Sequence, residues 1–198
     1  MIILASASPR RKDLLSLLVN EFEVRPADID ETPHAGETPE DYVLRMAAEK
    51  AAAIAETGRF QPADIIIASD TSVVKDNAIL GKPESLSDAK RMLRLLSDTQ
   101  HQVMTSLCVR NVDGSRIVTK NVVSTVTMRP ISDLEIEQYW RSGEPQDKAG
   151  SYAIQGLGSV FVSHISGSFS AVVGLPTFET ARYLSEFGVA ALREKICE

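Results

Sequence analysis

The run "ADIIIASDT", residues 63–71, does most to narrow what this chain can fold into. Its isoleucines and alanine leave no polar face, so the segment predicts a strand buried on both sides, as in a parallel sheet covered by helices. The run closes on a carboxylate. The expectation is a central strand with Asp70 at its exit.

The flanking segments alternate in the way such a sheet requires. "MIILA" predicts a short buried strand, and "SPRRKDLLSLLV" a helix capped by Ser8 with Pro9 at the first helical position, where its missing N–H costs nothing. That helix is expected to bury Leu14, Leu15, Leu17 and Leu18. "EFEVRPADI" predicts a second strand running into the acidic turn "DIDET". Thr38, Pro39 and Asp41 open a helix that continues through "YVLRMAAEKAAAIAE". Beyond the central run, "VVKDNAILGKP" predicts a strand, a turn at Asp76-Asn77 and a short return. "SDAKRMLRLLSD" predicts an amphipathic helix capped by Ser87. Asp113-Gly114 separates two β-rich runs as a hairpin. "SDLEIEQYWRSG" carries a capping box from Ser132 to Glu135 and a terminating Gly143. The glycine-rich stretch that follows predicts short strands and tight turns, and "PTFETARYLSEFG" a last helix. With no repeats or linkers, the pattern gives one α/β domain over residues 1–198 with a mixed sheet and flanking helices, in two lobes.

The formal charge of −6 and pI near 5.2 exclude broad contact with a nucleic-acid backbone. No apolar run has the length of a membrane span, and "MIILA" is too short for a secretory signal, so no membrane is expected and the location is read as cytoplasmic. Cys108 and Cys197 lack any metal-ligand spacing and suit a reducing compartment as packing residues or surface thiols.

Against this acidic balance, "LASASPRRKDLL" places two serines and two arginines where a strand hands over to a helix. Unpaired backbone N–H groups and the positive end of the helix dipole meet two guanidinium forks there, a combination suited to phosphate. A solvated basic helix start is the plainer alternative, but cations in a first turn oppose the dipole. No Walker A loop is present, and Gly156 and Gly158 in "IQGLGS" form only a GxG, which a tight turn explains. Glu31 and Asp70 each follow a predicted strand; if both strands share a sheet, the two carboxylates meet at one edge and hold a hard cation. Lys50 in "AAEKA" and Lys82 in "LGKP" read individually as surface charges. His34, His101 and His164 show no ligand spacing.

Taken jointly, "LASASPRR", "AAEKA", "SDT", "GKP" and "DKAGSYAIQGLG…VVGLP" resemble the Maf family of nucleoside-triphosphate pyrophosphatases across nearly the whole chain. The resemblance implies an elongated mixed α/β fold similar to the inosine-triphosphate pyrophosphatases, with a cleft between two lobes, and a homodimer. It implies hydrolysis of a nucleoside triphosphate to the monophosphate and pyrophosphate with a divalent cation, Mg²⁺, Mn²⁺ or Co²⁺. "AIQGLG" resembles the branch acting on dTTP and UTP; the alternatives are the branch acting on 7-methyl-GTP, which has an acidic residue in place of Gln155, and a non-catalytic nucleotide-binding regulator of cell division. A pure regulator gains nothing from two carboxylates beside a polyanion unless a cation sits between them.

Carried over residue by residue, the resemblance makes Asp70 the proton acceptor; the carboxylate pair makes it a metal ligand as well. Ser8 belongs to the substrate-binding turn. Arg11 clamps the triphosphate and Arg10 bears on substrate choice, while Lys50 and Lys82 add positive charge. Thr71 and Gln155 are specificity positions. Because an amide can flip, a neighbour must set the Gln155 orientation, and Thr71 is the candidate for that neighbour or for a direct contact. Glu31 as a second metal ligand follows from the acidic turn.

Overall fold

The computed structural model describes residues 1–191, so Cys197 lies outside the described residues. In chain order the elements are β1 (Ile2–Leu4), α1 (Pro9–Ser16), β2 (Glu23–Val24), α2 (Pro39–Ala55), β3 (Ile65–Lys75), β4 (Ala78–Leu80), α3 (Leu86–Leu96), β5 (Gln100–Asn111), β6 (Ile117–Met128), α4 (Asp133–Arg141), β7 (Val162–Ser166), α5 (Phe169–Val173) and α6 (Thr177–Glu186). The seven-stranded sheet has the order β2-β1-β3-β5-β6-β7, with β4 on β3. It is mixed, as the sequence predicts: β1 is parallel to β2 and β3, whereas β3–β4 and β6–β7 are antiparallel. No helix among the described residues is long and apolar enough to cross a membrane.

The chain forms two units, one of residues 1–70, 105–122 and 174–191, the other of Thr71–Met104 and Val123–Val173. In the first unit the alternation of strand side chains builds two cores at once. Ile2, Leu4, Ile65 and Ile67 pack with Leu15 of α1 and Leu184 of α6, while Ile3, Ala5, Ile66 and Ala68 pack with Ala47, Ala51 and Ile54 of α2. The strands are therefore buried on both faces. In the second unit Val73, Leu80, Leu93, Leu96, Val126, Met128 and Ile136 form one core with Tyr139, Tyr152 and Phe161.

Local signals decide most boundaries. Ser8 and Thr38 accept the N–H of Arg11 and Asp41, with Pro9 and Pro39 opening the helices they cap. The capping box from Ser132 to Glu135 forms as predicted, and Asp76 and Asn77 adopt the positive φ angles of 50° and 61° that a two-residue hairpin requires. Five expectations are corrected. Strand β3 does not stop at Asp70 but runs on to Lys75, so the carboxylate lies in mid-strand. β2 covers only Glu23–Val24, because Pro26 lacks the N–H that would extend the ladder. Ser85 rather than Ser87 caps α3, accepting from the N–H of Asp88. Leu17, the C-cap of α1, is exposed, and of its neighbours only Leu15 is fully buried. The glycine-rich stretch, expected as strands and turns, folds largely as 3₁₀ turns at Glu144–Asp147, Ala149–Ser151 and Leu157–Phe161 with β7 and the short α5.

Candidate active site

Period-2 alternation along β3 places Asp70 on the same face as Ile66 and Ala68, the face that α2 covers. On α2, Lys50 lies three residues after Ala47 and one before Ala51, within the stripe that packs on that face. The two side chains therefore meet: Lys50 Nζ donates to Asp70 Oδ1 at 2.7 Å, and both residues are buried. Lys50 also pairs with Glu31 Oε1 at 2.8 Å. The surface lysine expected from "AAEKA" is thus an internal ammonium joining two carboxylates. Among ordinary cores such a charge is rare unless paired.

Glu31 reaches this point from a loop, not from a strand exit. Its backbone carbonyl accepts from the Tyr42 hydroxyl of α2 at 2.9 Å. Burial, with Asp70 and Glu31 nearby, raises the Tyr42 phenol to about 12, which keeps it a neutral donor. One turn on, Arg45 forks onto Glu37 at 2.6 and 2.7 Å and donates to the carbonyl of Thr32 at 3.1 Å. The hydrogen bond from Arg45 holds the Glu37 carboxyl down at about 2. Tyr42 and Arg45 thus anchor the acidic turn on α2; sequence reading missed both, although a tyrosine and an arginine three residues apart on a helix that follows an acidic turn are a legible signal.

Arg11 belongs to the same electrostatic neighbourhood. Burial lowers its proton affinity, Asp70 and Glu31 oppose that, and Arg10 adds to it. Its Nε donates to the carbonyl of Gly174 at 2.9 Å and its Nη1 to the Ser6 hydroxyl at 3.3 Å. The buried Ser69 hydroxyl lies 2.9 Å from the same carbonyl and 2.7 Å from that of Ser106, with its one proton shared between the two acceptors. Ser8 is committed as the cap of α1. Arg10, half-buried beside it, makes no hydrogen bond or ion pair among the described residues. The first unit therefore brings together Ser8, Arg10, Arg11, Glu31, Lys50 and Asp70.

Thr71, Lys82 and Gln155 belong to the second unit. Thr71 follows Asp70 on the opposite pleat and is half-buried; Lys82 is exposed on a loop whose Gly81 carbonyl accepts from the N–H of Gly150 at 3.0 Å. Gln155 is exposed and makes no hydrogen bond among the described residues, so Thr71 does not pin its amide here. His101, given no role from sequence, is buried against the Tyr152 hydroxyl at 2.7 Å, and burial, then Lys75, lowers it to about 4. Cys108 is a packing residue whose thiol burial pushes up to about 11.

Among the described residues no three His, Cys, Asp or Glu side chains are arranged to hold a metal ion by themselves. The donor set nevertheless fits a hard divalent cation of the Mg²⁺ type. Glu31 and Asp70 offer two carboxylates converging on one positive charge, and such an ion takes one or two carboxylates and completes its shell with phosphate oxygens and water. In this structure the cation between them is the Lys50 ammonium. Glu31 and Asp70 are thus balanced without a metal, and the two carboxylates by themselves do not separate an enzyme from a regulator.

The family model described as Maf-like protein matches residues 1–187. A dTTP/UTP pyrophosphatase of Hahella chejuensis is 46% identical over 188 residues, covering 95% of this chain and 92% of that protein. Another dTTP/UTP pyrophosphatase, from Vibrio parahaemolyticus, is 49% identical over 186 residues, with 94% and 96% covered. A third, from Anaeromyxobacter dehalogenans, is 49% identical over 189 residues, with 94% of each chain covered.

Proposed function

The chain belongs to the Maf-like protein family, and from that premise we propose that it is a nucleoside triphosphate pyrophosphatase that cleaves the α–β phosphoanhydride of dTTP and UTP, leaving the monophosphate and pyrophosphate. The observation that carries this reading is the meeting of Lys50, Asp70 and Glu31 beside Arg11 in one unit, in a chain nearly half identical to proteins named for that activity.

In this reading Asp70 orients the attacking water at the α-phosphorus and takes its proton. A carboxylate by itself is a weak base toward water. Asp70 and Glu31 would hold a divalent cation, which would make water more acidic and neutralise phosphate charge. Lys50 already lies against both carboxylates, so its ammonium is in place to turn from Asp70 to a phosphate oxygen without leaving its helix face. Arg11, fixed by Gly174 and Ser6, and the unpartnered Arg10 supply guanidinium donors to the polyphosphate at the start of α1, with Ser8 in the turn. Lys82 adds charge on the leaving pyrophosphate. Thr71 and Gln155 serve recognition of the base.

The test is product analysis. UTP incubated with the protein and Mg²⁺ should yield UMP and pyrophosphate as primary products. Orthophosphate released first overturns the pyrophosphatase reading. Nucleotide binding without any product turns the assignment to a nucleotide-binding regulator.

A further inference from the structure

Gln155 is exposed and unpartnered, yet the backbone on either side of it is held tightly. On its N-terminal side the N–H of Ala153 donates to the Tyr139 hydroxyl at 3.1 Å. On its C-terminal side the N–H groups of Leu157 and Gly158 donate to the two oxygens of Glu144, each at 2.9 Å. The Tyr139 hydroxyl in turn donates to Glu144 Oε1 at 2.7 Å, which closes the set. One hydroxyl and one carboxylate, both reached from α4 and the turn after it, thus take three backbone N–H groups from a six-residue stretch centred on Gln155.

The glycines of "IQGLGS" are explained by the same contacts. A Cβ at Gly156 would lie 2.4 Å from Glu144 Oε2, and Gly156 has a φ of 85°, which side-chain-bearing residues rarely adopt. A Cβ at Gly158 would lie 2.5 Å from the Tyr139 hydroxyl and 2.4 Å from the Ala153 carbonyl. The spaces left by the absent side chains are filled by the two groups that hold the loop. Burial pushes the Glu144 carboxyl up, but the donors from Gly158, Tyr139 and Leu157 outweigh it and keep the group ionised. An amide would not substitute, because its NH₂ would face an N–H or the tyrosine hydroxyl proton.

We propose that Glu144 and Tyr139 are positioning residues for base recognition: together they fix the backbone of residues 153–158 so that Gln155 meets the pyrimidine edge from a set place. The proposal rests on the reading of Gln155 as the base-recognition residue given above. A side chain that must offer an acceptor and a donor to one edge of a ring gains its selectivity only if its backbone does not shift to suit another ring. Neither Glu144 nor Tyr139 need touch the nucleotide.

The experiment is a mutant cycle on substrate choice. The ratio of kcat/KM for UTP to that for CTP is measured in the wild type, Gln155→Ala, Tyr139→Phe and the double variant, with Glu144→Gln as a second probe of the clamp. Tyr139→Phe keeps the ring that stands edge-on to Phe161 with centroids 5.2 Å apart, so the core is retained. The expected result is that Gln155→Ala collapses the ratio, that Tyr139→Phe lowers it about 3- to 10-fold through KM for UTP, and that the double variant is no worse than Gln155→Ala alone. Glu144→Gln, where it folds, should lower the ratio at least as far. If the ratio falls in Gln155→Ala but holds in Tyr139→Phe, or if the two effects multiply, the clamp is overturned while the reading of Gln155 stands. A ratio unmoved by Gln155→Ala overturns that reading and the proposal with it.

Discussion

The Lys50 ammonium lies 2.7 Å from Asp70 Oδ1, a helix side chain and a mid-strand side chain joined inside the first unit. Each explains the other's burial. Asp70 out of water needs a positive partner, and Lys50 out of water needs acceptors, of which it finds two in Asp70 and Glu31. The pair thus gives the site a resident cation before any nucleotide arrives.

Replacing Asp70 by Asn tests the carboxylate. The amide oxygen still accepts from Lys50, and Glu31 still balances its charge, so the fold should persist. Turnover of UTP should fall by about 100-fold or more, the scale of a lost general base. Steady-state rates with a melting curve on the same sample check this. A folded Asp70→Asn protein with near-native activity would move the chemistry to another group.

Lys50→Met removes the resident cation and leaves Asp70 buried without its partner. Stability should drop by about 2 to 4 kcal/mol, since breaking one side of a buried pair costs more than the pair contributes. The variant should also respond more strongly to Mg²⁺, because the ion no longer competes with an ammonium for the two carboxylates. Melting temperatures with Mg²⁺ and with chelator decide it: a metal-induced rise no larger than in the wild type removes Glu31 and Asp70 as the cation site.

For Arg11 the structure changes what the sequence implies. A first-turn arginine judged only against the helix dipole should be replaceable at a gain of a few tenths of a kcal/mol. Arg11 instead ties α1 to the Gly174 carbonyl and to Ser6. Arg11→Ala should therefore lose about 1 to 2 kcal/mol of stability as well as triphosphate affinity, with hydrogen bonds to a charged group outweighing the relieved repulsion. Denaturant melts and nucleotide titration separate the two losses. Unchanged stability would mean that the Gly174 contact contributes nothing.

Much of the fold was legible because its signals are local. Ser8, Thr38 and the Ser132–Glu135 box announce helix starts, and the run from Ile65 to Ala68 announces a strand buried on two faces. The end of β3 was not legible, because a polar residue within an apolar run marks an exit only if nothing inside the protein satisfies it. Lys50 satisfies Asp70 from 20 residues away in sequence, and no local pattern carries that. For the same reason Lys50 read as a surface charge. Glu144 and Tyr139 were silent because their partners are backbone N–H groups, which the sequence does not spell.

His101 gives the fold a pH dependence. Burial holds it at about 4, below the 6.5 of an exposed histidine. A lowered folded-state value means that its contribution is fully present above about pH 6.5 and is lost as pH falls toward 4, because the unfolded chain takes the proton first. Through that window the slope approaches about 1.4 kcal/mol per pH unit from this group. Stability of His101→Gln, measured by denaturant melts from pH 7 to 4.5, should fall less steeply than that of the wild type. Parallel curves would assign the acid sensitivity to other groups.

The base-recognition role of Gln155 makes the last prediction. Uracil and thymine present an N3–H donor beside the O4 acceptor, and the glutamine amide offers the matching acceptor and donor. A glutamate there could accept from N3–H but would set its second oxygen against O4. Each mispaired polar group costs about 1 to 3 kcal/mol when buried by substrate, or roughly 5- to 150-fold in preference. Gln155→Glu should thus lower kcat/KM for UTP and dTTP within that range. Because Gln155 is exposed and holds nothing in the fold, its melting temperature should stay level. Cytosine reverses the donor and acceptor, and an amide free to turn would accept it. With the backbone set by Glu144 and Tyr139, discrimination against CTP also needs a group that fixes the amide once the base is bound, and Thr71 is the candidate. Thr71→Val should raise CTP turnover relative to UTP while leaving UTP nearly unchanged. Equal wild-type rates for UTP, CTP and GTP would refute the pairing argument, and a preference for 7-methyl-GTP would place the chain in the other branch of the family.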